Sequence, residues 1–458
     1  MDLLISIDAA APGGRRRAIE AALRSAIRAG RLPAGTAMPS SRVLAGDLGV
    51  ARGTVVDAYD QLAIEGYLDT RPRGGTVVAA LPQAPEAPVV PPPASPPPFD
   101  LRAGVPDLSA FPAGAWLAAT RSVLRSGPPD ALDYAPPRGR IELRAALADY
   151  LGRARGVVAA PAQVVVGNGV DHLLDVLTRA LVATGRGVVA LEDPCLPVHR
   201  AIVGRAGAAV VPAPVDLSGV DVDALAPQGA GAAVVTPARQ CPLGMALAPH
   251  RRSALVAWAR AADALIVEDD VDGELRYDRQ PIGALQGLDP ERVVYVGTLS
   301  TSLAPGLRLA WAVVPASLAP AVDEVLGTRS SVSSLDQLAL AALLTSQTFD
   351  RHVRRMRAEY RRRRDRFVAV LAGRAPRVWV ECVAGGLHAL VRWPTGAARE
   401  ADVVAAAASR GVGVTALAPH WHGQPRLEGL VAGFGRPPAH DLERRYGELA
   451  GVLADTVG

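Results

Sequence analysis

The 458-residue chain contains no lysine, so all 49 of its basic side chains are arginine. A GC-rich coding sequence, which favours arginine and alanine, is the simplest origin of this bias. Its chemical consequence holds whatever the cause: no side-chain amine is available to condense with a carbonyl into a Schiff base. Cysteine is also scarce. Three cysteines exclude a disulfide framework, and no C-x-x-C or H-x-x-x-H spacing supports a metal site. No uninterrupted apolar run is long enough to cross a bilayer and no signal-peptide pattern is present, so a cytoplasmic location without a membrane partner is expected.

What is present is a well-cored chain, 49% apolar and 21% charged, with a net charge of only +4. Met38 to Val78 reads as a compact helix-turn-helix with a wing. Ser40 and Ser41 can cap a short helix, RVLAGDLG, whose Leu44 and Leu48 share a buried face. Ala45, Gly49 and Val55 take the small, turn-forming and apolar positions of a close helix pair. A second helix is expected from about Arg52 to Glu65, with Val55, Tyr59 and Leu62 turned inward and Gly66 ending it. Arg52, Gly53 and Thr54 are then free at its N-terminal end, where a recognition helix meets bases and phosphates in the major groove. YLDT and TVV read as two strands around RPRGG, a basic tip carrying Arg71 and Arg73. Upstream, LLISID reads as a short strand, and Ile19, Leu23 and Ile27 mark an amphipathic first helix. Residues 1 to 80 hold ten arginines against eight carboxylates, a net of +2, so charge there must act through placement.

The phrase from Gly30 to Val78, GRLPAGTAMPSSRVLAGDLGVARGTVVDAYDQLAIEGYLDTRPRGGTVV, resembles the DNA-binding domain of GntR-family bacterial transcription regulators throughout its length. The resemblance implies a double-stranded DNA operator as partner, contacted by Arg42, Arg52, Gly53, Thr54 and Gly75. Ser41, at the start of the first of the two helices, is grouped with them, and Arg71 and Arg73 are added from their charge and location.

Residues 1 to 79 are thus expected to form the DNA-binding domain. Residues 80 to 99, ALPQAPEAPVVPPPASPPPF, are a proline-rich linker favouring polyproline II, with a reach of roughly 60 Å if extended. It reads as a spacer, a docking site for a partner being the alternative. From 100 to 458, helical patterns alternate with short apolar runs: VVVGN near 164, GVVALED near 187, AAVVTP near 232, ALIVEDD near 264, VVYVGT near 293 and AWAVVP near 310. Such runs imply an α/β domain with a mostly parallel sheet covered on both faces and a ligand cleft beyond the strand carboxyl ends. Its large part is expected over about 130–330 and a smaller subdomain over about 331–458. The latter opens on RHVRRMRAEYRRRRDRF, a long helix with Val353, Met356 and Tyr360 inward. Its arginines read as a solvated face, or alternatively as a second DNA-facing patch.

Five phrases in order, YAPPRGRIELRAALADYL from Tyr134, LEDPCLP from Leu191, TPARQCPLG from Thr236, VEDDVDGELRY from Val267 and GTLSTSLAPGLRLAW from Gly297, resemble class I aminotransferases. They resemble still more closely the aminotransferase-like half of MocR-type regulators, which follows a GntR domain through a linker. The resemblance implies a domain that dimerises, binds pyridoxal phosphate through a lysine aldimine and couples ligand binding to DNA contacts. It places that lysine after Ser300, where Thr301 stands, and a threonine hydroxyl forms no imine. It also places a ring-stacking aromatic at Leu196, a tyrosine near the pyridine oxygen at Val271, and the small residue and glutamine of the phosphate turn at Val170 and Asp171. A helix N-terminus after Gly169 would ordinarily welcome a phosphate. A carboxylate there repels the dianion by on the order of 1 to 4 kcal/mol at about 4 Å. Asp269 matches the residue that holds the pyridine nitrogen, and Arg308 a phosphate-binding arginine. Asn168, Gly169, Thr298 and Ser300 remain near the phosphate end, and all six also read as inherited scaffold, such as a buried aspartate and arginine kept as a pair. The arginine that grips a substrate carboxylate near LVAGFG is not evident, since Arg426 is out of register.

Other chemistry is thinner. His172, Cys195 and Cys241 fall in cleft-lining segments, which leaves a thiol sensor or a metal site open, and His420 and His422 around Trp421 read as a surface loop, weak metal binding being the alternative. The expectation is a sequence-specific transcription regulator, not an enzyme, with no catalytic residue and no resident metal. Its aminotransferase-like body serves as a dimerisation frame and as a sensor of an unknown small effector. Pyridoxal phosphate is lost or at most weak and non-covalent. The alternatives are a regulator or enzyme holding that cofactor without a covalent bond, and constitutive DNA binding with a ligand-free body.

Overall fold

The computed structural model describes residues 14–71, 75–81, 96–277, 282–381 and 384–458, and the chain divides into two compact units, 1–94 and 95–458. In the first, helices α1 (Gly14–Arg28), α2 (Ser41–Leu48) and α3 (Arg52–Ile64) pack around Ile19, Leu23, Leu44, Val55, Tyr59 and Leu62. The Ser40 hydroxyl accepts from the Val43 N–H at 3.3 Å and so caps α2. Gly49 closes the same helix at φ +61°, a left-handed conformation that glycine adopts without steric penalty. Strand β1 (Leu68–Arg71) pairs antiparallel with β2 (Gly75–Val78), Arg71 opposite Gly75. The LLISID segment and Arg73 lie outside the described residues, as does the side chain of Arg71.

The second unit opens on a short strand, β3 (Phe99–Asp100), so Phe99 belongs to this body rather than to the linker. An eight-stranded sheet follows in the order β4 (Val164–Asn168), β11 (Leu309–Val313), β10 (Val293–Thr298), β9 (Leu265–Asp269), β8 (Ala232–Val235), β5 (Val188–Asp193), β6 (Ala209–Asp216) and β7 (Gly219–Val220). The pairs from β10 through β6 are parallel, while β11 runs antiparallel to both its neighbours. Successive residues of each strand enter opposite cores, which is why the runs are apolar without alternation. Val165, Leu191, Val234 and Val267 meet α6 (Gly169–Ala183), α7 (Pro197–Arg205) and α9 (Ala319–Leu326). Ala190, Ala233 and Ile266 meet α8 (Pro249–Ala261), and Val166, Tyr295 and Trp311 meet α5 (Ile141–Arg155) and α10 (Ser334–Thr345). Helix α4 (Ala113–Ser126) lies outside α10.

The smaller subdomain is an antiparallel sheet, β12 (Trp379–Glu381), β13 (His388–Arg392), β16 (Leu430–Gly433) and β15 (Thr415–Ala416), with β14 (Val412–Gly413) pairing β3. Helices α11 (Thr348–Arg374), α12 (Glu400–Ser409) and α13 (Leu442–Val457) complete it. The division falls later than residue 331. Helix α10 and the start of α11 pack into the large sheet's core through Leu340, Leu344, Phe349 and Val353, whereas Met356, Tyr360 and Phe367 enter the small core. One 27-residue helix therefore serves both cores.

The arginines of α11 are not all solvated. Arg363 and Arg364 are buried at 2% and 7% exposure, because the fold brings the Asp107 carboxylate and the Gly435 and Pro437 carbonyls over that face to receive the Arg363 guanidinium. Among the described residues, no helix is long and apolar enough to cross a membrane.

Candidate functional site

In the first unit, Arg42, Arg52, Gly53 and Gly75 are exposed, and Ser41 and Thr54 are half-buried. Arg52 is the first residue of α3, and its Nε lies 3.4 Å from Ser41 Oγ, so the two helix starts stand side by side. Tyr59, turned inward from α3, donates to the Pro39 carbonyl at 3.0 Å and ties the helix to the segment before α2. Ser41, Arg42, Arg52, Gly53 and Thr54 thus share the α2–α3 corner, while Gly75 begins the second wing strand opposite Arg71, the last residue of the first.

In the second unit a cleft of about 430 Å3 opens between the two subdomains. Its large-part wall comes from the carboxyl ends of the parallel strands and the turns after them: Asp171, Leu196, His199, Thr236, Arg239, Cys241, Asp269, Val271, Thr298, Ser300, Thr301 and Arg308. Leu387, His388, Thr415 and Val431 close it from the small subdomain. The expected pocket residues are brought together, with two exceptions that sit just behind the wall. Asn168 ends β4, and its carbonyl accepts from Arg308 Nη2 at 3.0 Å. Gly169 begins α6 at φ +81°, and a Cβ there would lie 2.6 to 3.0 Å from the Arg308 guanidinium. A side chain there would strain the left-handed backbone and displace the guanidinium. Arg308 is itself left-handed at φ +51°.

Thr301 is buried at 4% exposure, and its hydroxyl donates to the Val271 carbonyl at 2.7 Å. Asp171 lies in the first turn of α6 and stands 3.7 Å from Arg308, both side chains about half exposed. Thr298 Oγ1 donates to Ser300 Oγ at 3.0 Å and accepts from the Ser300 N–H at 3.1 Å, which fixes the turn after β10.

Asp269 ends β9 and is 5% exposed, with Oδ1 lacking a hydrogen-bond partner and Oδ2 3.7 Å from His199 Nδ1. Burial, reinforced by Asp270, Asp272, Glu192 and Asp171, pushes its carboxyl up to about 8. Burial likewise pulls His199 down to about 4. The pair is therefore neutral at pH 7. Behind the wall, burial raises Glu192 to about 7 although Thr236 and Gln240 donate to it.

Several of these groups escaped the sequence reading. Asp270 is held by Arg155 at 2.7 Å and by the Tyr295 hydroxyl at 2.8 Å, and Asp272 by Arg239 at 2.9 Å. Arg239 also donates to the His388 carbonyl at 2.8 Å. The acidic run EDDVD was the one available signal, because so many adjacent carboxylates at a strand end require buried cations. His420 was misplaced. It is 4% exposed and lines the cleft, because its carbonyl accepts from the Cys195 N–H and from Arg200 and so draws the turn inward. Of the three residues that left a thiol or metal site open, only Cys241 lines the cleft. His172 Nδ1 accepts from the Asn168 N–H at 3.2 Å, and burial pushes the Cys195 thiol up to about 12. Among the described residues, no group of three or more His, Cys, Asp and Glu could hold a metal ion.

Comparison with known proteins agrees with both halves. Residues 15–78 match the family model of bacterial regulatory proteins of the gntR family, and residues 97–421 match that of aminotransferase class I and II. The chain is 36% identical to the HTH-type pyridoxine biosynthesis transcriptional regulator PdxR of Corynebacterium glutamicum, over 99% of this chain and 98% of that one. It is 34% identical to a probable rhizopine catabolism regulatory protein, MocR, of Rhizobium meliloti, over 94% and 92%. Among solved structures, a multiple substrate aminotransferase from Thermococcus profundus aligns with a TM-score of 0.70 at 22% identity, over 80% of this chain and 93% of that one. An archaeal alanine:glyoxylate aminotransferase aligns with a TM-score of 0.71 at 21% identity, over 93% and 97%. At such identities the structures speak to fold alone. The chain belongs to the MocR-type transcriptional regulators, in which a GntR-family DNA-binding domain is joined to a domain of the class I and II aminotransferase fold.

Proposed function

We propose that this regulator reads a specific operator through Ser41, Arg42, Arg52, Gly53, Thr54, Arg71, Arg73 and Gly75, and that its aminotransferase-like body senses a small molecule without imine chemistry. The observation that carries this is Thr301: buried in the cleft, its hydroxyl committed to the Val271 carbonyl, in a chain without lysine. The family fold implies pyridoxal phosphate, whose chemistry is to make a covalent imine with an amine. The residues present do not fit that group held covalently. No amine is at hand, Leu196 and Val271 offer no aromatic face, and Asp171 occupies the helix start beside Arg308. Arg308 and the unsatisfied Oδ1 of Asp269 favour a second reading in which the cofactor is held weakly and without a bond.

The same body is proposed to dimerise. Leu117 and Leu124 lie seven residues apart on one face of α4 and are 57% and 56% exposed. Leu108, Leu132, Tyr134 and Ile141 of the flanking segments are exposed as well. So many large apolar side chains within one short stretch mark an interaction surface.

Regulation then follows from linkage: an effector changes operator affinity only by its differential affinity for two arrangements of the dimer. The test is operator binding by the purified full chain with and without metabolites, together with its absorbance after mixing with pyridoxal phosphate. DNA binding and no imine band are expected. An imine band, or no binding to its own promoter region at low and moderate salt, overturns the proposal.

A further inference from the structure

Four carboxylates reach the cleft, and three of them are matched by arginines. Arg155 holds Asp270 at 2.7 Å, Arg239 holds Asp272 at 2.9 Å, and Arg308 stands 3.7 Å from Asp171. Asp269 is the fourth. Its Oδ1 has no hydrogen-bond partner, and among the described residues its one ion-pairing neighbour is His199, which burial keeps neutral. The cleft therefore holds one carboxyl beyond those its arginines match, on a side chain 95% buried; unpaired it keeps its proton, and an arriving cation is what would hold it as the carboxylate.

The part of the cleft wall at the start of α6 carries the complementary restriction. An anion approaching the start of α6 would be drawn by the helix dipole, but Asp171 already stands in that field and beside the arginine that would receive it. Arg308 is further committed to the Asn168 carbonyl. Elsewhere on the lining, Leu196, Val271, Leu387 and Val431 supply apolar walls suited to a small ring or hydrocarbon body.

We propose that the cleft selects a small nitrogen base that carries no phosphate, a cation paired by the unmatched Asp269 carboxylate while Asp171 turns phosphate away. This rests on the cleft being a non-covalent effector site. It adds that the effector differs from the fold's usual cofactor in the sign of its charge, and that the discrimination resides in two carboxylates lining one cavity.

Three compounds on one pyridine scaffold test it by calorimetry on the full-length protein near neutral pH: pyridoxamine, pyridoxamine 5′-phosphate and 4-pyridoxic acid. They present an amine, an amine with a phosphate, and a carboxylate. Pyridoxamine is expected to bind best, the phosphate ester roughly tenfold more weakly from one partly screened repulsion, and the carboxylate more weakly still. Asp171→Asn should close the gap between the first two, and Asp269→Asn should weaken pyridoxamine while the circular dichroism spectrum stays unchanged. A phosphate ester that binds the wild-type chain as tightly as pyridoxamine overturns the inference, as does an Asp171→Asn variant with an unchanged ratio, or binding by none of the three. The parallel absorbance measurement with pyridoxal phosphate separates the two levels. An imine band sinks the non-covalent site itself, whereas no band with the phosphate ester preferred sinks this inference alone.

Discussion

The hydroxyl of Thr301 and the carbonyl of Val271 are joined by a 2.7 Å hydrogen bond across the two turns that follow β10 and β9. Thr301→Val should leave that carbonyl without its partner and cost about 1 kcal/mol in urea unfolding of the second unit. Thr301→Lys supplies the missing amine but leaves Asp171 in place. Titration with pyridoxal phosphate followed by absorbance should show at most weak saturation, and adding Asp171→Asn should tighten it by roughly tenfold. Equal titrations for the single and double variants would show that the helix start has no part in the loss.

Arg52 is exposed at the first position of α3, beside Ser41. Arg52→Ala should weaken operator binding in mobility-shift titrations. If the side chain meets a phosphate, the loss is uniform across sequences and the slope of log K against log salt falls by about 1. If it meets a base, specificity relaxes at one position. An unchanged affinity would remove Arg52 from the DNA surface.

Arg363 is buried against Asp107, Glu359 and two carbonyls. Arg363→Ala leaves the Asp107 carboxylate without its cation and should cost about 3 to 5 kcal/mol in chemical denaturation of the second unit. A loss within the range of an exposed pair, about 1 kcal/mol or less, would contradict its structural role.

Asp269 makes a prediction about pH. Burial raises its carboxyl from 3.8 to about 8, so the fold prefers the protonated form. The stability this group contributes is therefore complete below about pH 4 and is lost as pH rises through 8. Asp269→Asn should remove that decline, and the melting temperature of the variant should gain on the wild type by a few degrees between pH 5 and pH 8.5. A constant difference across this range would place the titration elsewhere.

Leu117 and Leu124 present an exposed apolar face on α4. Replacing both by glutamate should convert a dimer in sedimentation velocity to a monomer and leave the far-ultraviolet spectrum intact. A variant that stays dimeric would assign the interface to another surface.

The sheet was legible because its strands are buried on both faces, which writes them as unbroken Val, Ile and Leu runs. The rule that ligands meet the carboxyl ends of such strands pointed to the turns after them, and the resemblance to the aminotransferases then picked out Asp269 and Thr298. Partnerships were not legible. Arg155 and Asp270 are 115 positions apart, and no local pattern announces which arginine will meet which carboxylate. The burial of Arg363 and His420 depended in the same way on distant carbonyls, and their segments had read as solvated.

Asp269 and Asp270 are consecutive and chemically identical, yet the end of β9 sends them to different duties. Asp270 is locked by Arg155 and Tyr295, and a Cβ at Gly273 would collide with that pair, so three further positions hold it in place. Asp269 has no such commitments. Selection can therefore retune effector preference through one aspartate while its neighbour is kept for architecture, and regulators of this build can change the molecule they answer to without rebuilding the body that answers.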